Sequence, residues 1–188
     1  FSFVYSRISS SDQLYTEPKF IVCKSCLYQL IDRGPVCGLA CDVTCTQIGT
    51  LISTTQHCSN CEYQRKWSSQ PLIGNIPAGN IHLSAAVYFS GASFSKTDRV
   101  LSSLRLASIS TTTFYRHVQQ FIQPVIMTFW SRQQTTILQS IAERSGEVVI
   151  GGDMRADSPG HCAKYGSYTM MDLGSSRVID IQLIQVIP

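Results

Sequence analysis

Two groups of residues have the type and spacing to do chemistry. The first lies in Glu147–Leu173, where the apolar β-branched run Val148-Val149-Ile150 and a Gly pair lead directly into Asp153. Asp157 follows, just before Ser158-Pro159-Gly160, which reads as a turn. A carboxylate at the end of a buried strand is costly unless it is paired or binds a metal. Asp153 is therefore a candidate functional acid, with Asp157 as the fallback or as a cap on the turn.

The second group is the cysteines. The chain has eight, and seven fall between Cys23 and Cys61. Cys23-x2-Cys26 and Cys58-x2-Cys61 have metal-ligand spacing, which in a chain with no secretory signal favours thiolate ligation over disulfides. Gly34-Pro35-Val36-Cys37-Gly38 is similar to a C-P-x-C-G zinc knuckle with Gly34 in place of the first Cys. Cys37, Cys58 and Cys61 supply three ligands for a tetrahedral zinc. The fourth is open among Cys41, Cys45, Cys26 and His57, with Cys41 first by proximity. Such a closed site supports a fold and leaves no position for catalysis. The competing reading is thiols that bind no metal and pack as small hydrophobes.

These groups need elements to hold them. With 188 residues, 44% apolar and 14% charged, the chain is globular and long enough for one domain or two small ones. A net charge of +3 and a pI near 8.4 permit an anionic partner without requiring one. No apolar run is long enough to span a bilayer. The start at Phe1 and the stop at Pro188, as a strand finishes, suggest a piece of a longer protein.

In chain order, residues 1–18 read as a frayed end or linker and 19–74 as a Cys-rich module. Lys19–Leu30 suits a strand and then a short helix, and Thr46–Gln56 is β-rich. Arg65 and Lys66 beside Trp67 are candidates for phosphate contact or base stacking. Asn75–Asn80 is rich in turn residues and marks a boundary, after which 75–145 has helical periodicity. Helices are expected at Ile81–Phe89, at Lys96–Leu104 with Ser95 as cap and Val100, Leu101 and Leu104 on one face, and after a Ser110 or Thr111 cap. The last of these carries Phe114, Val118, Phe121 and Ile122 on its apolar face, with Arg116 and His117 among its outward residues. Two helices, a tight link and a third helix match a helix-turn-helix plan, in which Arg116 would face DNA. Such three-helix units also serve merely to support a neighbour. A further helix runs from Pro124 toward Glu143. Strands are then expected before Asp153, at Ser167–Leu173 and at Arg177–Val186, with Asp172 and Asp180 as hairpin surface carboxylates.

Taken together, GGDMRADSPGHCAKYGSYTMMDL, RVIDIQLIQ, QRKWSSQP, IPAGNIHLSAAVYFSGAS and ISTTTFYRHVQQFIQP resemble a DDE-type transposase or transposon-derived protein, over roughly Lys19 to the end. The superfamily stays open between Kolobok-like and Mutator-like elements. The resemblance implies an α+β chain in three parts: a zinc-ribbon-like module, a helix-turn-helix-like segment, and over 146–188 the first three strands of a ribonuclease H-like α/β domain. It implies that Asp153 helps hold Mg2+ or Mn2+ for metal-dependent DNA strand cleavage and transfer, and that the Cys module holds a structural Zn2+. It further implies a nuclear protein whose partner is DNA rather than a membrane, with Lys164, His161 and Tyr165 near the DNA backbone and homo-oligomerisation open. The second and third acids of the family triad would lie beyond this sequence. The alternative is a non-catalytic zinc-containing DNA-binding or scaffold protein that keeps the strand motif as architecture.

Overall fold

Alternating β-branched and polar residues after Cys41 form strands, and longer apolar periodicities form helices. The computed structural model, which describes residues 16–158 and 163–185, is accordingly an α+β protein of helices and antiparallel sheets. It divides into two compact units, one ending at Ile122 and the other beginning at Gln123. Residues 1–15 of the expected frayed end, the Pro159-Gly160 turn, His161 and Val186 lie outside the described residues.

The first unit opens with a five-residue helix α1 (Lys24–Tyr28). The strand expected ahead of it does not form. Phe20, Ile21 and Val22 are exposed without regular structure, so no partner strand satisfies their backbone. Strands β1 (Asp42–Ile48), β2 (Leu51–His57) and β3 (Gln64–Ser68) then make an antiparallel sheet in that order. A two-strand ribbon, β4 (Leu72–Ile73) and β5 (Ile76–Pro77), leads into helix α2 (Ala78–Phe89).

Helices α3 (Phe94–Ser103) and α4 (Thr111–His117) complete a three-helix cluster with α2. Its core is Val87, Phe94, Ile109, Phe114, Val118 and Ile122, with the Phe94 and Phe114 rings stacked 4.4 Å apart. The apolar face expected from Phe114, Val118 and Ile122 is thus buried. That of α3 differs: Val100 and Leu104 are exposed, and Phe94 is the buried anchor. Ser93, not Ser95, stands at the N-cap, because α3 starts early enough to bury Phe94. Ser110 caps α4, its Oγ accepting from the Thr113 N–H at 3.1 Å. His117, expected on the outer face, is buried, with Nδ1 2.9 Å from the Ser84 hydroxyl of α2.

The winding after α4 opens into a π-helical segment, Val118–Ile122. The cause lies two residues on. Pro124 has no N–H to offer the Gln120 carbonyl, so regular i→i−4 bonding fails there.

Asn80 joins the sheet to the helices. It sits buried on α2, where its Oδ1 accepts from the Thr50 N–H (2.7 Å) and hydroxyl (2.8 Å), and its Nδ2 donates to the Ile48 carbonyl. The β1–β2 turn is thereby held onto α2, across the stretch the sequence marks as a boundary. Gly49 in that turn has φ +61°, and a Cβ there would fall 2.5 Å from the Asn80 amide.

The second unit has helix α5 (Gln123–Ala142) and an antiparallel meander, β6 (Ile150–Ala156), β7 (Tyr165–Asp172) and β8 (Arg177–Gln185). Gln134 of α5 donates to the Ile179 carbonyl and the Asp180 carboxylate of β8. Asp172 is not a surface residue. It is fully buried, clamped by both Arg144 guanidinium nitrogens at 2.9 and 3.0 Å and by the Ser175 N–H and hydroxyl. The carboxylate caps the β7–β8 turn while Arg144 ties the end of α5 to it.

Two consequences follow for stability. Asn80→Ala removes the side-chain partner of the part-buried Thr50 N–H and Ile48 carbonyl and should cost about 1–2 kcal/mol in urea unfolding of the first unit. Arg144 and then the Ser175 hydroxyl hold the Asp172 carboxyl well below the ordinary carboxylate range. A depressed folded-state pKa stabilises at pH above the unfolded value, near 4, and the effect is lost as pH falls below that. The second unit's melting temperature should therefore drop between pH 5 and pH 2, more steeply than in Asp172→Asn, whose melting temperature should be lower at pH 7.

Candidate metal centre

Two turns of opposite origin meet at one point. The first begins at Arg33, which pairs with Ala40 in an antiparallel bridge. Within it the Gly38 N–H donates to the Gly34 carbonyl, and Gly38 takes φ +71°, a conformation that glycine adopts without a Cβ penalty. This tight loop presents Cys37 at its tip and Cys41 just past its base. The second turn links β2 to β3, carries Cys58 and Cys61, and is closed by the Cys58 N–H donating to the Tyr63 carbonyl. Gln56, buried on β2, docks one loop onto the other by donating from Nε2 to the Arg33 carbonyl at 2.8 Å.

The sulfurs of Cys37, Cys58 and Cys61 lie within 4.8 Å of one another, with Cys37 and Cys58 3.5 Å apart. Ligands on a tetrahedral zinc with ~2.3 Å bonds are ~3.8 Å apart, so the spacing suits a bound metal ion. Cys58 is fully buried and the other two are half-buried. Among the described residues this is the one cluster of three or more potential metal ligands, and all seven described cysteines are free thiols.

Gly34 explains the close approach. A Cβ at that position would lie 3.3 Å from the Cys41 sulfur, 3.6 Å from Cys37 and 3.7 Å from Cys58. The residue in the knuckle's missing-Cys position thus leaves open the space into which three sulfurs point, Cys41 among them. The Cys41 sulfur faces the same centre but stands outside the tight triad. Of the other candidates for a fourth ligand, Cys26, Cys45 and His57 are exposed.

Electrostatics distinguish the thiols. The Asn60 and Cys61 N–H groups, with Cys37, lower the Cys58 thiol to about 7. The Tyr63 N–H lowers Cys61, but hydrogen bonding with Cys37, burial and Cys58 together raise it to about 11. Burial raises Cys41, against a contact with Gln56, and its sulfur neighbours Cys58 and Cys37 raise it further. A cluster that resists collecting negative charge by itself is one in which a cation would relieve the repulsion.

The strand carboxylates are arranged differently. Asp153 occupies the fourth of seven positions in β6, opposite Thr169, rather than the end of a buried strand. It is exposed, and its Oδ1 accepts from the Met154 N–H at 2.8 Å. Gly151 and Gly152 lie inside the strand because Leu173 and Tyr168 fold over them; a Cβ on Gly151 would be 3.0 Å from Leu173. Asp157 follows the end of β6, where its carboxylate accepts from the Lys164 N–H across the loop. It therefore caps that loop and does not join Asp153 in a described metal cluster.

The four candidate DNA-contacting cations do not all fall on one element. Arg65 and Lys66 are successive residues of β3 and point to opposite faces. Arg116 is exposed on α4, and Lys164 belongs to the second unit. Gln56 and Asn80 are structural determinants that sequence reasoning misses, because each is a single amide without a motif to mark it. No protein-family model matches the chain, and neither a curated protein nor a solved structure matches it.

The purified chain should carry one metal per molecule by elemental mass spectrometry, and Cys58→Ser should lower that to less than about a tenth. Ligands must lose protons to bind, so occupancy should fall as pH drops below neutrality. Zero metal at neutral pH in the unsubstituted chain would contradict this.

Proposed function

We propose that the chain is part of a DNA transposase-like protein in which a zinc-stabilised Cys-rich module and a helix-turn-helix-like segment precede a ribonuclease H-like catalytic fold. In this reading Cys37, Cys41, Cys58 and Cys61 hold Zn2+, and the metal stabilises the module rather than reacting. Asp153 is the first carboxylate of a site for Mg2+ or Mn2+, and the activity is metal-dependent DNA strand cleavage and transfer in the nucleus. What supports this most is the likeness of the segment around Asp153 to the first strands of that family, with β6, β7 and β8 forming an antiparallel meander, while the exposure of Asp153 counts against it. Arg65, Lys66, Arg116 and Lys164 are the cations assigned to the DNA phosphates.

The second reading is a non-catalytic, zinc-containing DNA-binding or scaffold protein of the same descent. One observation favours it. Asp153 bonds its neighbour's N–H, while Asp157 is engaged in capping its loop.

A single substitution separates the two. In the full-length parent protein, Mg2+- or Mn2+-dependent nicking of DNA should fall at least about a thousandfold in Asp153→Asn, with duplex binding retained. Parent protein that binds duplex DNA yet never nicks it selects the binder, and unchanged nicking by the variant would refute the role of Asp153.

A further inference from the structure

The first unit holds a cleft of about 580 Å³ between the β1–β2 turn, the residue before β5 and the outer side of α4. None of the clustered cysteines lines it. Among the described residues that line it there is no Asp or Glu, and the one permanent cation among them is Arg116. His117 also borders it, but burial first, and then Arg116, lower its pKa, and its ring is engaged with Ser84. The lining is thus biased toward an anion.

The remaining walls are chemically divided. Ile76, Ile109 and Phe121 provide an apolar and partly aromatic surface, whereas Asn75 and Gln120 bring side-chain amides. Amides both donate and accept, which suits the edge of a heterocyclic base, and an aromatic ring suits its face. Gln120 and Phe121 belong to the π-helical segment Val118–Ile122. Such segments are rare and concentrate at functional sites.

We propose that this cleft binds a mononucleotide unit, with Arg116 on the phosphate, Phe121 against the base and the Asn75 and Gln120 amides on its edge. A cation alone would take any small anion. An apolar wall with two amides selects an anion joined to a polar heterocycle. The volume accommodates one nucleotide with water, not a stacked run of several. The unit comes either free or as a single unpaired nucleotide within a strand. The proposal does not depend on metal-dependent cleavage by Asp153, and the two can fail separately.

The experiment titrates the full chain with deoxyadenosine monophosphate, deoxyadenosine, inorganic phosphate, and a DNA duplex with or without one unpaired adenosine, by calorimetry. Deoxyadenosine monophosphate should bind at least about tenfold tighter than either deoxyadenosine or phosphate. Arg116→Gln, at an exposed position, should weaken it about ten- to a hundredfold, the range for losing a charge-assisted hydrogen bond. Gln120→Glu, also exposed, should weaken it comparably by placing a second anion in the cleft, and circular dichroism should show both variants folded. A strand-borne unit predicts that the bulged duplex outcompetes the perfect duplex, and a free one that it does not. Saturation by phosphate alone with equal affinity, no binding of the monophosphate, or unchanged affinity in both variants would overturn the proposal.

Discussion

The first unit depends on convergence of two loops at a point that no single element could hold. Over residues 16–74 the buried apolar side chains are only Ile31, Leu51 and Cys58. A sheet of three short strands with so little apolar burial lacks the core that usually balances backbone ordering, and domains of this size are commonly closed by disulfides or a metal. All the described cysteines are free thiols, and three of their sulfurs are already gathered. The burden therefore falls on the thiol cluster, supported by the Gln56 amide, which fixes one loop against the other.

From that point polar joints carry the sheet onto the three-helix cluster, which has its own apolar core. Asn80 carries the sheet onto α2, and Ser84 carries α2 onto α4 through His117. The second unit follows the same economy with Arg144 and Asp172, where one part-buried ion pair closes a hairpin and anchors a helix end. Such joints are directional, so they specify geometry more sharply than burial does, and each is costly to leave half-satisfied.

Local patterns told part of this in advance. The helices over 81–143, the later strands and the apolar face of the helix after Ser110 were legible because period and capping are local signals. Cys37, Cys58 and Cys61 were legible from thiol spacing. The position of Asp153 within its strand was not, because the preceding glycines read as a boundary when they are spaces for Tyr168 and Leu173. In sequence Asp172 and His117 read as surface residues, since polarity alone does not reveal a partner 28 or 33 residues away. The role of Gly34 was equally hidden. In sequence it is a missing ligand, and in space it is the room that admits the sulfur of Cys41.

Loading of the cysteine cluster with cobalt(II) bears most directly on this architecture, because absorption then reports ligand type and geometry together. Strong sulfur-to-cobalt charge transfer with intense tetrahedral ligand-field bands is expected, weakened and shifted in Cys41→Ser, with the first unit unfolding when the metal is chelated. A weak octahedral spectrum, or a first unit that keeps its full stability after chelation, would contradict a module closed by thiolate coordination.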